Sequence, residues 1–248
     1  MKKFIKKTLI VIMLALSLTL SACSISLDDF RFLDSDNTEV INGIQEKSVL
    51  TSNVTILTYN FIGKKLSQGS GVIYKSVGND YYCITNSHVV YGAYAYQVMD
   101  AYGDFWIGKV VACDETYDLA VMRFSINSKN FFYIPEIVET DPKVGDKLIS
   151  ISNPNGIVNS IALGEVEKYK SIVDSENAKS EGSSVEFEVI RHTAPIDSGS
   201  SGGAIFTYDY KICGINFATG RDSNDNYLCS YAVQPTKVLT FLKNNELL

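Results

Sequence analysis

The sequence has few residues that could hold a metal ion. It contains two histidines and five cysteines among 248 residues, and no two cysteines have the CxxC spacing of structural zinc sites. The pattern therefore argues against a zinc site, and we expect the protein to work without a metal or another cofactor.

Positive charge is also in short supply. There are 22 lysines and arginines against 28 aspartates and glutamates, which gives a net charge of −6 at pH 7. Proteins that bind nucleic acids or anionic surfaces by charge need an excess of basic residues on one face. The balance makes nucleic acid an unexpected partner, and it argues equally against adhesion through a basic patch.

A hydrophobic run long enough to span a bilayer is missing as well. The apolar stretch near the start, "LIVIMLALSLTL", has 12 residues and follows the basic segment "MKKFIKK". A membrane-spanning helix needs about 20 apolar residues, whereas a short apolar run behind basic residues is typical of a signal peptide. We therefore predict that residues 1–22 are a signal peptide and not part of the fold.

The predicted signal peptide ends within the sequence "LSAC", directly before its cysteine, and this sequence resembles a bacterial lipobox. The resemblance implies that Cys23 becomes the first residue of the mature protein and carries a diacylglycerol, whose two acyl chains suffice for stable anchoring. Ordinary cleavage with an unmodified Cys23 is the alternative. Loss of residues 1–22 removes four lysines and no acidic residue, and so changes the net charge from −6 to −10.

Two regions follow the predicted signal peptide. Residues 23–47 are polar and acidic, and we interpret them as a lipid-anchored tether. Residues 48–248 consist mainly of short β-branched or aromatic runs separated by Gly, Asn, Asp or Ser, which indicates an all-β barrel or sandwich. The last stretch, "PTKVLTFLKNNELL", repeats apolar residues at i, i+3 and i+4, and it predicts a short C-terminal helix.

The stretch "SGSSGGAIF" carries the clearest chemical signal. A serine hydroxyl is a weak nucleophile and needs a general base, for which histidine is the usual choice. The chain offers His88, at the end of an apolar strand pattern, and His192, in the segment that leads to the serines. Asp118, at the head of the apolar run "DLAVMRF", is the candidate carboxylate that would orient the base.

The glycines select one serine from this stretch. Acyl transfer creates an oxyanion, which two converging backbone N–H groups can stabilise. Gly199 permits the tight turn that such convergence requires, and a serine that closes the turn brings its own N–H beside that of Gly199. This reasoning makes Ser201 the nucleophile, and it forms the oxyanion hole from the N–H groups of Gly199 and Ser201.

Five segments of the chain together resemble one protease family. They are, in order, "GSGVIY", "ITNSHVV", "DLAVMRF", "VGDKLISISNPNG" and "IDSGSSGGAIF". Over roughly residues 50–235 they resemble the trypsin-like serine proteases, most closely the HtrA/Deg branch. The resemblance implies two six-stranded antiparallel β-barrels with a boundary near residues 135–142 and an active site between them. It assigns the base to His88, the orienting carboxylate to Asp118 and the nucleophile to Ser201.

The resemblance also implies a specificity pocket beside the nucleophile. The stretch "GINFATG" matches the strand that pairs with substrate backbone and forms one wall of this pocket. No acidic residue stands clearly at the pocket base, which disfavours cleavage after Lys or Arg, although Asp197 lies nearby. His192 either lines the pocket or packs at a strand end. The candidate pocket residues are Thr193, Ile196, Ser198, Ile215, Asn216 and Phe217.

Four cysteines of the predicted domain leave the disulfide state open. Export permits disulfide bonds, and buried free thiols fit the pattern equally well. The first two each precede a candidate triad residue, His88 or Asp118, by five positions, which suggests that they lie on neighbouring strands. The four are Cys83, Cys113, Cys213 and Cys229.

These observations predict a membrane-tethered, extracytoplasmic serine endopeptidase that cleaves proteins or peptides through an acyl-enzyme. The alternative is an inactive or substrate-sequestering lipoprotein that uses a protease-like domain for binding. HtrA proteins usually carry a C-terminal PDZ domain, and we expect none here because only 47 residues follow Ser201. For the same reason the oligomeric regulation of that branch is not extended to this chain, and its oligomeric state stays open.

Overall fold

The computed structural model describes residues 35–172 and 185–248. The predicted signal peptide and Cys23 lie outside the described residues. The chain divides into two compact units, residues 1–42 and residues 43–248. Of the first unit, the described residues belong to helix α1 (Ser35–Glu46), which ends in the second unit and lies within the segment predicted as a tether. No helix in the described ranges is long and apolar enough to cross a membrane.

The first half of the larger unit is a closed antiparallel barrel. Its strands follow one another around the barrel in the order β1-β2-β3-β6-β5-β4. A short 3-10 helix, Val49–Ser52, precedes the barrel, and the one-turn helix α2 (Ser87–Val90) follows its third strand. The strands are β1 (Asn53–Tyr59), β2 (Lys65–Val77), β3 (Asp80–Thr85), β4 (Ala95–Met99), β5 (Phe105–Asp114) and β6 (Leu119–Ser125).

The second half of this unit is a second closed antiparallel barrel, in the order β10-β11-β12-β9-β8-β7. A 3-10 turn, Pro154–Gly156, follows its first strand, and helix α3 (Pro235–Asn244) follows its last. The predicted fold class, two six-stranded barrels with a short C-terminal helix, is confirmed. The strands are β7 (Lys147–Ser152), β8 (Ser160–Ser171), β9 (Glu188–His192), β10 (Ala204–Phe206), β11 (Ile212–Arg221) and β12 (Tyr227–Val233).

Each barrel encloses its own apolar core. Successive side chains of a strand point to opposite faces, so the β-branched and aromatic runs fill the barrel interiors. Ile56, Ile73 and Met122 are fully buried in the first core, and Ile190 and Ile205 in the second. Burial of each such side chain stabilises the fold by about 1.5–3 kcal/mol. Two separate cores leave a boundary between the barrels at which polar groups can be placed.

Residues 126–146 connect the barrels and contain the predicted boundary at 135–142. Within this connection Ile137 forms a parallel bridge with Ile212 of β11. The N–H of Val138 donates to the carbonyl of Ile212, and the N–H of Ile212 donates to the carbonyl of Glu136. The connection is therefore joined to the second barrel by backbone hydrogen bonds.

The cysteines of the barrels are free thiols. Cys83 lies on β3 and Cys113 on β5, and β6 separates these strands. The prediction that they occupy neighbouring strands is therefore wrong, because matched sequence spacing does not determine strand order. Cys83, Cys213 and Cys229 are buried and Cys113 is exposed. Burial raises the pKa of the Cys83 and Cys213 thiols to about 12, which makes them poor nucleophiles.

Candidate active site

A cleft of about 370 Å³ contains both His88 and Ser201. Its walls come from both barrels. The first barrel contributes residues of β2 and α2, and the second contributes the segment before β10 together with β11. The lining residues are Ser67, Gln68, His88, Val89, Ile196, Asp197, Ser198, Gly199, Ser201, Phe217, Ala218, Thr219 and Arg221.

His88 is oriented by Asp118. The Nδ1 atom of His88 lies 2.8 Å from Oδ2 of Asp118, whose side chain is almost completely buried. An ionised carboxylate only accepts hydrogen bonds, so Nδ1 carries the proton and Nε2 is left as the basic nitrogen. His88 lies in helix α2, three residues beyond the strand end on which the sequence had placed it. Its side chain retains 28% exposure, which leaves the ring accessible from the cleft.

Asp118 is itself held by several hydrogen bonds. Its Oδ1 accepts the backbone N–H of His88 at 3.0 Å and the hydroxyl of Ser87 at 3.0 Å. The side-chain amide of Asn86 donates to its backbone carbonyl at 2.8 Å. The backbone of Asp118 is left-handed, with φ 49°, a conformation that Asp tolerates better than most residues. The strand-to-helix segment 86–88 therefore supplies both His88 and the donors that hold the Asp118 carboxylate.

The backbone carbonyls of residues 197–201, the segment that contains the predicted nucleophile, are all hydrogen-bonded. Ser200 N–H donates to Asp197, and Gly203 N–H donates to Ser200. Asn155 N–H donates to Ser198 at 2.7 Å. From the first barrel, Ser70 donates its Oγ hydrogen to Gly199 at 2.8 Å and its N–H to Ser201 at 2.8 Å.

The N–H groups of Gly199 and Ser201 remain available. Neither has a hydrogen-bond partner among residues 35–172 and 185–248. In a trans peptide the C=O and N–H point in opposite directions. The carbonyls of Ser198 and Ser200 are bound by Asn155 and Gly203, so the N–H groups of Gly199 and Ser201 point away from those two residues. In the same parts of the chain, Ser201 Oγ has no hydrogen-bond partner, His88 included.

Two glycines make this turn sterically feasible. Gly199 has φ 91°, and a Cβ there would lie 2.8 Å from the carbonyl oxygen of Asn153. Gly202 has φ 85°, and a Cβ there would overlap the carbonyl oxygen of Ser70 and the hydroxyl of Thr85. Both positions require a positive φ and a missing side chain, which is the property that distinguishes glycine.

The structure brings together half of the predicted pocket residues. Ile196, Ser198 and Phe217 line the cleft. The other three lie elsewhere. Thr193 is exposed and hydrogen-bonded to Glu165. Ile215 and Asn216 are fully buried on β11.

His192 is buried at the end of β9 and does not line the cleft. Its Nε2 lies 3.0 Å from Oδ1 of Asn216, and the Asn216 amide donates to Ser150 Oγ at 2.9 Å. Asn216 also exchanges backbone hydrogen bonds with Gly202 and Gly203. Burial lowers the pKa of His192 to about 4, so the ring is neutral at pH 7. Of the two alternatives left open by the sequence, the geometry fits packing at a strand end.

Three site residues were missed by the sequence reasoning: Ser70, Asn155 and Arg221. Ser70 and Asn155 lie inside the quoted segments "GSGVIY" and "VGDKLISISNPNG", but their residue types carry no chemical signature. Arg221 directly follows "GINFATG", and its guanidinium donates to Asp197 at 2.9 Å. This partner could not be identified from the sequence, because the two residues are 24 positions apart.

Comparisons with known proteins agree with the geometry. The chain is 27% identical over 170 residues to a probable periplasmic serine endoprotease, DegP-like, from Brucella suis; the match covers 68% of this chain and 31% of the relative. It is 30% identical over 176 residues to an HtrA-like serine protease from Staphylococcus epidermidis, covering 68% and 30%. The chain thus spans about a third of the length of these curated relatives.

Solved structures share the two-barrel fold. The active form of a protease from M. tuberculosis matches with a TM-score of 0.68 and 18% identity, over 83% of this chain and 85% of that one. A family model described as the trypsin-like peptidase domain matches residues 69–215, a range that includes His88, Asp118 and Ser201. Since this match covers more than half of its residues, the chain belongs to the trypsin-like peptidase family.

Proposed function

We propose that the protein is a membrane-tethered, extracytoplasmic serine endopeptidase. Ser201 is the nucleophile, His88 the general base and Asp118 the carboxylate that orients it. The N–H groups of Gly199 and Ser201 form the oxyanion hole. The observation that carries the proposal is the contact of 2.8 Å between His88 Nδ1 and Asp118 Oδ2 in a cleft that also contains Ser201.

The proposed reaction follows from these positions. Ser201 Oγ attacks the carbonyl carbon of the scissile peptide while its proton passes to Nε2 of His88. The carbonyl oxygen becomes an oxyanion and accepts hydrogen bonds from the two free N–H groups. His88 then gives the proton to the leaving amine, which leaves an acyl group on Ser201. A water molecule attacks this ester while His88 accepts its proton. The bond between Ser201 Oγ and the acyl carbon then breaks, the proton passes from His88 to Oγ, and the carboxylic acid product leaves.

Protein or peptide segments are the proposed substrates. The cleft presents the apolar side chains of Ile196 and Phe217. The carboxylate of Asp197 is already engaged by Arg221 and by the amide of Asn155. The Arg221 charge already offsets that of the Asp197 carboxylate and weakens its attraction for a substrate lysine or arginine, so cleavage after basic residues is disfavoured.

The proposed location rests on the sequence before the domain. The short apolar run and the "LSAC" that follows support export and a lipid on Cys23. The Brucella relative is named as periplasmic. An extracytoplasmic protease held at a membrane by its N-terminus is consistent with both points.

Covalent labelling tests the proposal. The full-length protein is incubated with a fluorophosphonate probe, which reacts with a serine activated by a neighbouring base. We expect labelling of the wild type and none of Ser201→Ala, and mass spectrometry should find the adduct on Ser201. Ser76→Ala changes an exposed serine on β2 and serves as the matched control. A folded wild type that resists labelling would favour the alternative, a protease-like protein that only binds.

A further inference from the structure

Asp197 joins three separate segments next to the oxyanion hole. Its Oδ1 accepts the N–H of Ser198 at 2.8 Å and a guanidinium N–H of Arg221 at 2.9 Å. Its Oδ2 accepts the side-chain amide of Asn155 at 3.1 Å. The carboxylate thus connects the nucleophile segment, the 3-10 turn after β7 and the end of β11.

These contacts converge on one peptide group, which links Ser198 to Gly199. Asn155 N–H holds the carbonyl side of this peptide at 2.7 Å, and its side chain is held in turn by Asp197. Asp197 also binds the N–H of Ser198, directly before the peptide. Because C=O and N–H of a trans peptide point in opposite directions, fixing the Ser198 carbonyl fixes the direction of the Gly199 N–H.

Asp197, Asn155 and Arg221 form a cluster whose carboxylate and guanidinium are both charged at neutral pH, where a histidine base works. The N–H of Ser198, the amide of Asn155 and the Arg221 guanidinium all lower the pKa of the Asp197 carboxyl, so that it is ionised at neutral pH. Arg221 is further held by the backbone carbonyl of Asp225 at 3.0 Å, and 29% of its side chain is exposed. Because Arg221 is partly buried and binds both Asp197 and Asp225, it restrains the Asp197 carboxylate more firmly than water would.

We propose that Asp197 and Arg221 are positioning residues that keep the Ser198–Gly199 peptide turned with its N–H toward the oxyanion. This inference rests on the proposed function, because only attack by Ser201 on a carbonyl or phosphonyl group creates that oxyanion. Neither side chain touches the reacting atoms. Without the cluster the peptide can rotate, and the oxyanion hole loses one of its two donors.

The proposal predicts a kinetic signature. Loss of an oxyanion donor slows the chemical step and leaves initial binding nearly unchanged. Asp197→Ala should lower the maximal labelling rate by between about tenfold and about a hundredfold. Arg221→Gln removes the ion pair with Asp197 and the hydrogen bond to the Asp225 carbonyl, and it should lower that rate by up to about fivefold. Asp197→Asn keeps an oxygen acceptor for Ser198 N–H but turns an amide NH2 toward the Asn155 amide, so it should recover part of the loss caused by alanine.

The experiment measures fluorophosphonate labelling of the full-length protein at several probe concentrations. This yields the maximal rate and the half-saturating concentration separately, and the phosphonyl oxygen occupies the same hole as a peptide oxyanion. Thermal unfolding of each variant is recorded in parallel. Glu136→Gln is the matched control, because it breaks another exposed ion pair, with Lys211 at 2.6 Å, outside the cleft.

The outcomes separate the two proposals. A wild type that is folded and does not label rejects the proposed function, and this inference with it. A wild type that labels, with Asp197→Ala slowed at an unchanged half-saturating concentration and Asp197→Asn partly restored, supports the inference. If Asp197→Ala does not fold, Arg221→Gln and Asp197→Asn decide. Variants that unfold at lower temperature but label at the wild-type maximal rate, or a slowing equal to that of Glu136→Gln, overturn it.

Discussion

Ser70 of the first barrel donates its backbone N–H to the carbonyl of Ser201 in the second, at 2.8 Å. The Ser70 hydroxyl donates to the Gly199 carbonyl at 2.8 Å and accepts the N–H of Asn153 at 2.8 Å. One residue of β2 therefore contacts both N–H-bearing residues of the proposed oxyanion hole through their carbonyls. The two barrels are joined at the point where the proposed chemistry takes place.

Ser70→Ala should weaken both the fold and the labelling of Ser201. The substitution leaves the Gly199 carbonyl and the Asn153 N–H without their partner, and an unpaired buried polar group costs about 1–3 kcal/mol. We expect a lower urea midpoint and slower fluorophosphonate labelling. Ser76→Ala, on the exposed part of the same strand, should change neither quantity. Equal labelling rates in the two variants would show that the hydrogen bond from the Ser70 backbone N–H to Ser201 is sufficient to hold the oxyanion-hole turn in place.

The all-β class was predictable because most barrel strands leave a local trace, whereas the division into two barrels was implied by the family resemblance. Residues such as Ile73 and Ile205 belong to short apolar runs bounded by turn residues, and these runs correspond to the observed strands. The glycine turn was predictable for a related reason, since Gly199 and Gly202 have positive φ values that few other residues adopt. Conformational demands of this kind act on single positions and are visible in a sequence.

The supporting contacts were not predictable in the same way. Ser70 is 129 positions from Gly199, and Asn155 and Arg221 reach Asp197 from opposite directions along the chain. Serine, asparagine and arginine occur in such surroundings for many reasons, so only the folded geometry identifies their partners. The prediction that Cys83 and Cys113 lie on neighbouring strands was wrong for the same reason, because β6 pairs between β3 and β5.

Peptide hydrolysis should depend on His88 and Asp118. Only a neutral imidazole can accept the Ser201 proton, and Asp118 holds the ring with its Nε2 free to do so. His88→Ala and Asp118→Asn should each reduce turnover by about 10⁴-fold or more. The measurement is the rate of casein cleavage by the wild type and each variant, with a chelator control. Chelator-sensitive cleavage, or full activity in His88→Ala, would contradict the proposed mechanism.

Cys23→Ala should release the protein from the membrane without changing its chemistry. The prediction rests on "LSAC" behind the short apolar run, and a diacylglycerol supplies the two acyl chains that stable anchoring needs. Cell fractionation should move the variant to the soluble extracytoplasmic fraction, and its rate of labelling per folded molecule should match the wild type. Mass spectrometry of the mature N-terminus provides the decisive reading, since an unmodified Cys23 or cleavage at another bond would exclude the lipid.

The buried His192 should make folding stability dependent on pH. Asn216 Oδ1 accepts from His192 Nε2, because the Asn216 amide already donates to Ser150. The other ring nitrogen, Nδ1, is buried without a partner among the described residues. Protonation would therefore place an unpaired charge in the second barrel, which is why burial lowers the pKa of His192 to about 4.

The sign follows from comparing the two states. An unfolded histidine has a pKa of about 6.5, so between pH 4 and pH 6.5 the unfolded chain binds the proton and the folded chain does not. The contribution of His192 is fully present above about pH 6.5 and is lost as the pH falls toward 4, by roughly 3 kcal/mol in total. Urea unfolding of the wild type and His192→Gln at pH 4.5, 5.5 and 7.5 measures it. His192→Gln should lose less stability than the wild type between pH 7.5 and pH 4.5. If the His192 variant shows the wild-type slope, the unfolded and folded states do not differ in the protonation of His192, and a different group causes the acid sensitivity of the fold.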